Sequence, residues 1–321
     1  MGFYAGIDLG GTNIAVGIVN GSFEIVAKAS VKTNAPRPAE EIADDMALAT
    51  KMACEKAGIS VSDLSWIGVG TPGAANRETG VVIYSNNLKF YNVPLRDLIS
   101  SRLEGKPVYV ENDANAATYG EVVAGAAKGV KNAIMITLGT GVGGGIIIDG
   151  KIYAGNNYYG AELGHTVIEF GGRPCSCGRK GCFESYSSAT GLINMTKEEM
   201  ERNKDSKMWE LAEGSLDNVG GRTSFDAMRL GDESGKKVVD EYITYLACGI
   251  TNLINIFQPE VFIIGGGVCN EKDYLLVPLY DKVFREEYSK DKEKRTRLCT
   301  AELGNDAGII GAAFLGKDES N

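Results

Sequence analysis

Short apolar runs separated by turns fill the first 32 residues of the chain. The segments FYAGIDL and TNIAVGIVN flank Gly10-Gly11, and a turn at Asn20-Gly21 leads into SFEIVAKASV. Apolar runs of this length, bounded by Gly and Asn, predict β-strands joined by tight turns. We therefore expect a β-meander over residues 3–32, followed by a helix over residues 38–57.

A second segment, residues 132–154, follows the same plan. The run NAIMITL leads into a glycine-rich turn, then GGGIIID, a turn at Asp149-Gly150, and KIYA. The likeness is one of topology more than of sequence. Two such openings in one chain predict two mixed α/β domains, and the simplest arrangement has a cleft between them.

Later segments complete this picture. SWIGVGTPG and GKPVYVEND each predict a buried strand that ends in a loop or a helix, and residues 236–257 place apolar side chains at helical spacing before Pro259. We predict an N-terminal α/β domain over residues 1–115 and a C-terminal α/β domain over residues 116–306. A terminal helix at about 307–316 is expected to pack back on the first domain.

Composition and charge narrow the class of protein. The chain has 321 residues, 44% of them hydrophobic and 23% charged, which is typical of a globular protein. It shows neither a signal-peptide pattern at its start nor an apolar run long enough for a membrane span, so a cytoplasmic location is expected. The formal net charge of −9 disfavours nonspecific binding to nucleic acid, although a local basic patch is compatible with it.

Two glycine turns are candidate phosphate loops. Gly-rich turns between strands can present backbone N–H groups to phosphate oxygens, because no Cβ keeps the anion away. Either turn alone could be a simple hairpin, but their matching positions in the two half-repeats favour phosphate binding. The residues concerned are Gly10, Gly11, Thr12 and Asn13 in the first turn and Gly139, Thr140 and Gly141 in the second.

Two familiar nucleotide motifs do not fit. Gly139, Gly141 and Gly144 satisfy G-x-G-x-x-G, but a strand-like segment follows where a dinucleotide fold needs a helix. The segment from Gly231 to Lys236 is one residue short of a Walker motif and does not follow a strand. Any nucleotide is therefore expected to bind through the paired hairpins.

A histidine and three cysteines form a candidate metal site. His165 is the only histidine of the chain, and Cys175, Cys177 and Cys182 follow it in a segment rich in Gly and Arg. Four such ligands suit tetrahedral zinc, and a site filled by protein side chains is structural. Disulfide pairing and core thiols are the alternatives, which the close spacing and the absence of apolar neighbours in sequence disfavour.

Two glutamates accompany this cluster. Glu162 precedes His165 by three positions, and Glu184 follows Cys182 by two. They could present carboxylates to a polyhydroxylated ligand, or they could be surface residues or residues that support the metal ligands. The spacing alone leaves both alternatives open.

These motifs resemble the repressor/ORF/kinase (ROK) family over nearly the whole chain. The order and spacing match in D-x-G-G-T-N, E-N-D-A-N, L-G-T-G-V-G-G-G, E-L-G-H and C-x-C-G-x-x-G-C-x-E, which begin at residues 8, 111, 138, 162 and 175. The resemblance implies a two-domain actin-like or hexokinase-like (ribonuclease H-like) ATPase fold of the α/β class, with an active-site cleft between the domains.

The resemblance also implies roles for residues. Asp113 would be the general base that takes the proton of the attacking sugar hydroxyl, and Asp8 would lie near Mg²⁺. His165 would use one ring nitrogen for zinc and the other for the sugar. The implied sugar-binding set is Gly73, Asn86, Asn87, Asn112, Glu162, His165 and Glu184. The two glycine turns would hold the phosphates of ATP, and the adenosine would lie on Gly265, Gly266 and Gly267.

The residue types agree with kinase chemistry, since phosphoryl transfer needs positioning and charge neutralisation more than covalent catalysis. A histidine bound to zinc cannot serve as the base, which supports Asp113. The segment from Ser187 to Leu192 is most similar to the bacterial glucokinases of the family, so the expected reaction is ATP-dependent phosphorylation of glucose at O6. Fructose, mannose, allose, an N-acetylhexosamine, or polyphosphate as donor remain alternatives.

Other classes within the family are less compatible with the sequence. Its repressors carry a winged-helix segment before the first phosphate motif, whereas Asp8 stands seven residues after the start of this acidic chain. A sugar-binding protein without catalysis would be expected to lack Asp113 or a glycine turn. We expect a homodimer that acts on a hexose and ATP, with neither nucleic acid nor membrane as a partner.

Overall fold

The computed structural model describes residues 2–289, 291 and 293–318. The strands are β1 (Phe3–Leu9), β2 (Asn13–Asn20), β3 (Ile25–Lys32), β4 (Leu64–Thr71), β5 (Ala74–Asn76), β6 (Val81–Ser85), β7 (Phe90–Val93), β8 (Val108–Asn112), β9 (Ala133–Leu138), β10 (Val142–Ile148), β11 (Lys151–Ile152), β12 (Val261–Gly265) and β13 (Arg297–Thr300).

The α-helices follow single strands or groups of strands, and α4 to α8 follow one another between β11 and β12. They are α1 (Ala39–Ala57), α2 (Leu95–Arg102), α3 (Asp113–Ala124), α4 (Glu184–Ser187), α5 (Ala189–Arg202), α6 (Met208–Leu211), α7 (Thr223–Arg229), α8 (Glu233–Phe257), α9 (Asp273–Glu286), α10 (Ala307–Ala313) and α11 (Leu315–Asp318). Short 3-10 helices cover Val61–Asp63, Leu163–His165, Leu216–Asn218, Gly267–Glu271 and Gly304–Asp306.

The first sheet has the strand order β3-β2-β1-β4-β8. β1, β2 and β3 form the antiparallel meander expected from the sequence, and β4 and β8 add to it in parallel with β1. The register places Asp8 opposite Gly70 and Gly70 opposite Glu111, so these residues share one line across the sheet near the carboxyl ends of the parallel strands. Loops that follow such ends are where ligands bind in many α/β proteins.

The second sheet has the order β11-β10-β9-β12-β13. This order reproduces the first sheet strand for strand, with a hairpin partner at one side and a parallel pair, β12 and β13, at the other. The repeated topology expected from residues 132–154 is therefore confirmed. A further antiparallel sheet, β5-β6-β7, stands between β4 and α2 in sequence.

The chain divides into two compact units. Unit 1 comprises the described parts of residues 1–134, 145–161 and 301–321, and unit 2 comprises 135–144 and the described parts of 162–300. The domain bounds expected from the sequence, 1–115 and 116–306, stay a prediction, because a compact unit is defined by its contacts and a domain by its ability to fold independently. Across the described residues, no helix is both long and apolar enough to cross a membrane.

Helix α10 packs on the first sheet of unit 1 at backbone contact distance. A Cβ on Gly68 of β4 would lie 1.7 Å from the carbonyl oxygen of Ala312, and one on Gly6 of β1 would lie 1.9 Å from that of Ile309. Helix α3 meets α10 in the same way, since a Cβ on Gly120 would lie 2.2 Å from the carbonyl oxygen of Ala307. These glycines thereby let α10 fix the position of α3, which begins at Asp113.

We expect Gly68→Ala to lower the free energy of unfolding by about 1–3 kcal/mol, the usual cost of overpacking where the opposing atom cannot move aside. The opposing atom is a helix carbonyl oxygen, so relief requires a shift of α10. Urea unfolding of this variant should be compared with that of Gly21→Ala, because a Cβ on Gly21 has no heavy atom within 4 Å. Equal stability of the two variants would contradict the close packing.

Candidate active site

The first glycine turn connects β1 to β2. Its backbone is closed by a hydrogen bond from Gly10 N to the carbonyl oxygen of Asn13 (2.9 Å), and Thr33 holds it from the side. The Thr33 hydroxyl donates to the Gly10 carbonyl (2.6 Å), and Thr33 N donates to the Thr12 carbonyl (2.9 Å). Gly11, Thr12 and Asn13 are exposed, so the loop presents its tip to solvent in a fixed shape.

The second glycine turn connects β9 to β10 and is attached to the start of α5. Ala189 N donates to the Gly139 carbonyl (2.9 Å), and the Thr190 hydroxyl donates to the Thr140 carbonyl (2.8 Å). Because these carbonyl oxygens are taken up by α5, the turn is held in one conformation. Gly139 and Thr140 are themselves exposed, as a phosphate loop requires.

The third glycine segment follows β12 and lies beside the second turn. Gly266 has a φ of 94°, and a Cβ on it would lie 2.3 Å from the carbonyl oxygen of Leu138, the residue before Gly139. Gly265 ends β12, and Gly267 begins the 3-10 helix Gly267–Glu271. The structure therefore brings Gly265, Gly266 and Gly267 next to the second phosphate-loop candidate within unit 2.

Asp113 stands at the first position of α3, directly after β8. Asn112 caps the helix, since its Oδ1 accepts hydrogen bonds from Ala114 N (2.9 Å) and Asn115 N (3.1 Å). Burial raises the pKa of the Asp113 carboxyl, and the hydrogen bond that Ala114 N donates to its Oδ1 (2.8 Å) partly opposes that increase. Such a carboxylate suits a general base, whose pKa should approach the working pH.

Asp8, at the end of β1, is the second carboxyl of this region. Burial, together with the negative charge of Asp113, raises its pKa to about 6. Two carboxyls that repel each other in a partly desolvated place fit a divalent cation, and Mg²⁺ prefers carboxylate and phosphate oxygens. Asp8 is therefore suited to hold Mg²⁺, directly or through water.

The predicted sugar-binding residues of unit 1 fall into two places. Asn112 Nδ2 donates to the carbonyl oxygen of Gly73 (3.0 Å), so these two residues adjoin Asp113. Asn86 and Asn87 are exposed in the turn between β6 and β7. Asn86 Oδ1 accepts from Lys89 Nζ (3.0 Å), whereas a Cβ on Gly11 would lie 3.9 Å from the Cβ of Asn87.

The four predicted zinc ligands converge in unit 2. Their ligand atoms all lie within 4.8 Å of one another. Cys177 Sγ is 3.7 Å from Cys182 Sγ, and Cys175 Sγ is 3.5 Å from Nδ1 of His165. Tetrahedral zinc with Zn–S bonds of about 2.3 Å places two sulfurs about 3.8 Å apart, so the arrangement fits the ion.

Local backbone geometry explains why this loop gathers its cysteines. Cys175 N donates to the Arg179 carbonyl (2.9 Å), and Gly178 N donates to the Cys175 carbonyl (3.0 Å), which closes a tight turn. Gly178 and Gly181 have φ values of 86° and 81°, in the left-handed region that glycine adopts without strain. The glycines of the cysteine motif are thus required by the fold of the loop.

The thiol chemistry also fits a cation. Burial raises the pKa of Cys182 to about 12, so this side chain becomes a thiolate only when a cation replaces its proton. A backbone hydrogen bond from Arg179 lowers the pKa of Cys177. Zinc supplies the positive charge that would ionise all three thiols and close the tetrahedron.

The two glutamates occupy different settings. Glu162 precedes the 3-10 helix Leu163–His165, and its carbonyl accepts from His165 N (3.1 Å), so Glu162 and His165 share one turn. Glu184 begins α4 and connects two loops of unit 2. Its Oε2 accepts from N of Val142, the first residue of β10 directly after the second glycine turn (2.9 Å), and its Oε1 lies 3.8 Å from Cys175 Sγ.

One charged pair of this region is not predicted by the sequence motifs. Glu111 belongs to the E-N-D-A-N motif, which implies no role for it, and Arg77 lies outside every motif. The structure joins them through Arg77 Nε and Glu111 Oε2, 3.0 Å apart. The one available signal was a glutamate within the apolar strand PVYVEND, which demands a buried partner.

Comparison with known proteins places this site in a family. The family model described as the ROK family matches residues 4–319. The chain belongs to the ROK family. The membership expected from the motifs is thus confirmed, and with it the actin-like or hexokinase-like α/β fold.

Relatives of known name cover nearly the full chain. A glucokinase of Halalkalibacterium halodurans is 38% identical over 321 residues, which is 99% of this chain and 96% of that protein. A glucokinase of Thermotoga maritima is 36% identical over 318 residues, or 98% of this chain and 96% of that protein. The crystal structure of a ROK family glucokinase from Streptomyces griseus, in complex with glucose and AMPPNP, has a TM-score of 0.78 and 35% identity, covering 98% of this chain and 99% of that chain.

We expect Cys177→Ser to release zinc and lower the melting temperature. The variant removes one of four ligands, and ligand binding to the native state is a direct contribution to stability. Elemental analysis of protein purified without chelators should give close to one zinc per chain for the unmodified protein and far less for the variant. Cys248→Ala is the matched control, because Cys248 lies outside the cluster; full zinc content in Cys177→Ser would contradict the site.

We expect Asp8→Asn to stabilise the protein at pH 7 in Mg²⁺-free buffer. A carboxyl whose pKa rises from 3.8 to about 6 on folding contributes stability below pH 3.8 and loses it as the pH rises through 6. At about 1.4 kcal/mol per pKa unit, the gain at pH 7 is about 3 kcal/mol.

Urea unfolding across pH 4–8 checks this expectation. The difference between Asp8→Asn and the unmodified protein should grow with pH. Asp63→Asn is a control of opposite sign, because hydrogen bonds from Ser60 lower the pKa of Asp63. A difference for Asp8→Asn that does not depend on pH would show that Asp8 titrates normally.

Proposed function

We propose that this protein transfers the γ-phosphoryl group of ATP to O6 of glucose, forming glucose 6-phosphate and ADP. The observation that carries the proposal is the partly buried carboxyl of Asp113, held at the start of α3 close enough to Asp8 for their charges to interact. Its support is the membership in the ROK family and the full-length similarity to glucokinases, one of them crystallised with glucose and AMPPNP.

In the proposed reaction, Asp113 accepts the proton of the sugar O6–H group. The oxygen then forms a bond to the γ-phosphorus, the bond between that phosphorus and the β,γ-bridging oxygen breaks, and the electron pair leaves with ADP. Asn112 and Ala114 fix the base through the helix cap and the hydrogen bond to Oδ1. A base works only within hydrogen-bond reach of its proton, so this fixation is part of catalysis.

The glycine turns and Asp8 are proposed to bind and neutralise the phosphate groups of ATP, the turns directly and Asp8 through Mg²⁺. Backbone N–H groups of residues 10–13 and 139–141 would bind phosphate oxygens, and residues 265–267 would receive the adenosine. Asp8 would hold Mg²⁺, which, when bound, neutralises charge on the transferred phosphoryl group. Hydrogen bonds from Thr33, Ala189 and Thr190 keep the turns in shape before ATP arrives.

The residues of the sugar-binding set are proposed to hold the sugar while Asp113 acts on its O6–H group. Asn112 adjoins the base, and the other hydroxyls of the sugar are assigned to Gly73, Asn86, Asn87, Glu162, His165 and Glu184. His165 would bind zinc through Nδ1, the ring nitrogen nearest Cys175. Zinc would then set the orientation of the imidazole toward the sugar, with no part in the chemistry.

The oligomeric state, the cellular location and the choice of sugar are further parts of the proposed function. The protein is proposed to be a homodimer in the cytoplasm with neither nucleic acid nor membrane as a partner; the net charge of −9 supports only the part about nucleic acid, because it disfavours nonspecific binding to it. Fructose, mannose, allose and N-acetylhexosamines are the competing acceptors, because a few loop side chains decide between hexoses.

A hexose panel tests the reaction. Purified protein with ATP and Mg²⁺ should release ADP most efficiently with glucose, as measured by kcat/KM in a coupled assay. Highest efficiency with another hexose would correct the substrate and keep the kinase. Silence across the whole panel, with polyphosphate also tried as donor, would refute the proposed function.

Asp113→Asn tests the base. We expect kcat to fall by about 10²–10⁴ while glucose binding, measured by calorimetry, stays within about threefold, since only proton transfer is removed. Asp273→Asn is the matched control, because Asp273 also occupies the first position of a helix and is exposed. Preserved turnover in Asp113→Asn would remove Asp113 as the base.

A further inference from the structure

A buried carboxylate two positions before Asp113 takes part in no step of the proposed reaction. We propose that Glu111, paired with Arg77, is a positioning residue that fixes the carboxyl of Asp113 for catalysis. The inference rests on the proposed kinase function and goes beyond it, because neither residue would touch sugar, ATP or metal. The two carboxylate oxygens of Glu111 have separate partners.

The first oxygen is neutralised by Arg77. Glu111 is 1% exposed, and its Oε2 lies 3.0 Å from Arg77 Nε, whose side chain is 18% exposed. Burying an ionised carboxylate costs several kcal/mol unless it is paired and hydrogen-bonded. A hydrophobic residue at this position would avoid that cost, so the carboxylate needs a reason other than stability.

The second oxygen connects the residues on both sides of the base. Glu111 Oε1 accepts hydrogen bonds from Asn112 N (2.8 Å) and from Asn115 Nδ2 (3.0 Å). Asn112 precedes Asp113 in sequence and Asn115 follows it. One buried oxygen therefore holds the backbone before the base and a side chain one residue beyond Ala114.

The same two asparagines complete a closed set of hydrogen bonds around Asp113. Asn112 Oδ1 accepts from the N–H groups of Ala114 and Asn115, and Asn112 Nδ2 donates to the Gly73 carbonyl. The start of α3 is thus fixed by hydrogen bonds to Glu111 Oε1 and by the side-chain cap of Asn112. A shift of Glu111 Oε1 would move Asn112 and Asn115, and with them Asp113.

Arg77 is itself held in place by a second arginine. Arg96 donates from Nη2 to the Arg77 carbonyl (2.6 Å), from Nη1 to the Glu78 carbonyl (2.6 Å) and from Nε to the Val108 carbonyl (3.0 Å). Val108 is the first residue of β8 and Glu111 is the last but one. The turn after β5 is therefore attached to both ends of the strand that leads to the base.

A purely structural ion pair would have different consequences. It would lower stability when broken and leave the chemistry of the folded protein unchanged. A positioning pair lowers kcat in protein that is folded, because a misplacement of about 1 Å can cost about 10²-fold in rate. The two single variants each create a mismatch: Arg77→Met leaves a buried charge without its cation, and Glu111→Gln turns an amide N–H₂ toward one of the present donors.

The experiment is a double-mutant cycle on kcat. We expect Arg77→Met and Glu111→Gln each to lower kcat about tenfold or more, with the KM for ATP within about twofold of the unmodified protein. In the double variant Arg77→Met/Glu111→Gln, the amide oxygen can accept from Asn112 N and Asn115 Nδ2 with no cation opposite. We expect its kcat to recover to within about threefold of the unmodified value. All measurements use protein shown to be folded by circular dichroism.

Arg102→Met is the matched control. Arg102 also forms an ion pair in unit 1, with Asp44 (2.5 Å), and donates to the Leu98 carbonyl (2.8 Å), so the same substitution breaks a comparable set of contacts away from Asp113. We expect its kcat to be unchanged. If Arg77→Met does not fold, the kcat of Glu111→Gln is compared with that of the double variant, where we expect the loss to be recovered.

The outcomes separate the inference from the proposed function. Full kcat in both folded single variants, or a double variant no faster than the slower single one, would overturn the positioning role while the kinase function stands. A kcat loss in Arg102→Met equal to that in Arg77→Met would do the same. An unmodified protein that turns over no hexose would overturn both.

Discussion

The interaction on which the candidate active site depends is the repulsion between the carboxylates of Asp8 and Asp113 near the carboxyl ends of the first sheet. Asp8 and Glu111 share one line across the sheet because β1, β4 and β8 are in register through Gly70, and Asp113 begins α3 two residues after Glu111. Like charges in a partly desolvated place raise one another's pKa and destabilise the fold. The chain tolerates this cost by giving each carboxylate a different environment.

These environments differ in what they permit. Glu111 is paired with a cation and hydrogen-bonded, which makes it a fixed anchor. Burial raises the pKa of Asp113, and hydrogen bonds at the start of α3, among them the one from Ala114 N, only partly offset that increase, so the carboxyl keeps its affinity for a proton. Asp8 has a pKa of about 6, and a magnesium ion would relieve its repulsion with Asp113. Because their solvation and pairing differ, three carboxylates suit three different roles: Glu111 positions its neighbours, Asp113 can accept a proton, and Asp8 can bind a cation.

The elements that could be predicted from the sequence are those whose cause is local. The meanders at residues 3–32 and 132–154 follow from apolar runs and turn residues, and the zinc cluster follows from ligand type and spacing. The small sheet of β5, β6 and β7 was not predicted, because its strands are short and its residues mixed in polarity. Helix α8 was expected from residue 236 but begins at Glu233, where Asp232 caps it by accepting from Gly235 N (2.7 Å).

Interactions between distant segments could not be read from the chain. The pair of Arg77 and Glu111 joins a turn after β5 to the end of β8, and no periodicity relates the two positions. The contacts of Glu184 are of the same kind: its carboxylate lies between N of Val142, which follows the second glycine turn, and Cys175 of the zinc cluster.

Glu184 connects the zinc site to the rest of unit 2. With all four ligands supplied by protein, zinc would have no open position for substrate or water, so its role would be to hold the conformation of the loop. That shape extends beyond the cysteine loop, because Cys175 lies beside Glu184 Oε1 while Glu184 Oε2 holds the second glycine turn. A Cβ on Gly141 would lie 2.2 Å from that Oε2, so a larger residue at this position would displace the carboxylate from its present contact with the turn. The metal, one glutamate and one glycine therefore form a single structural unit, which connects the zinc site to the candidate phosphate loop.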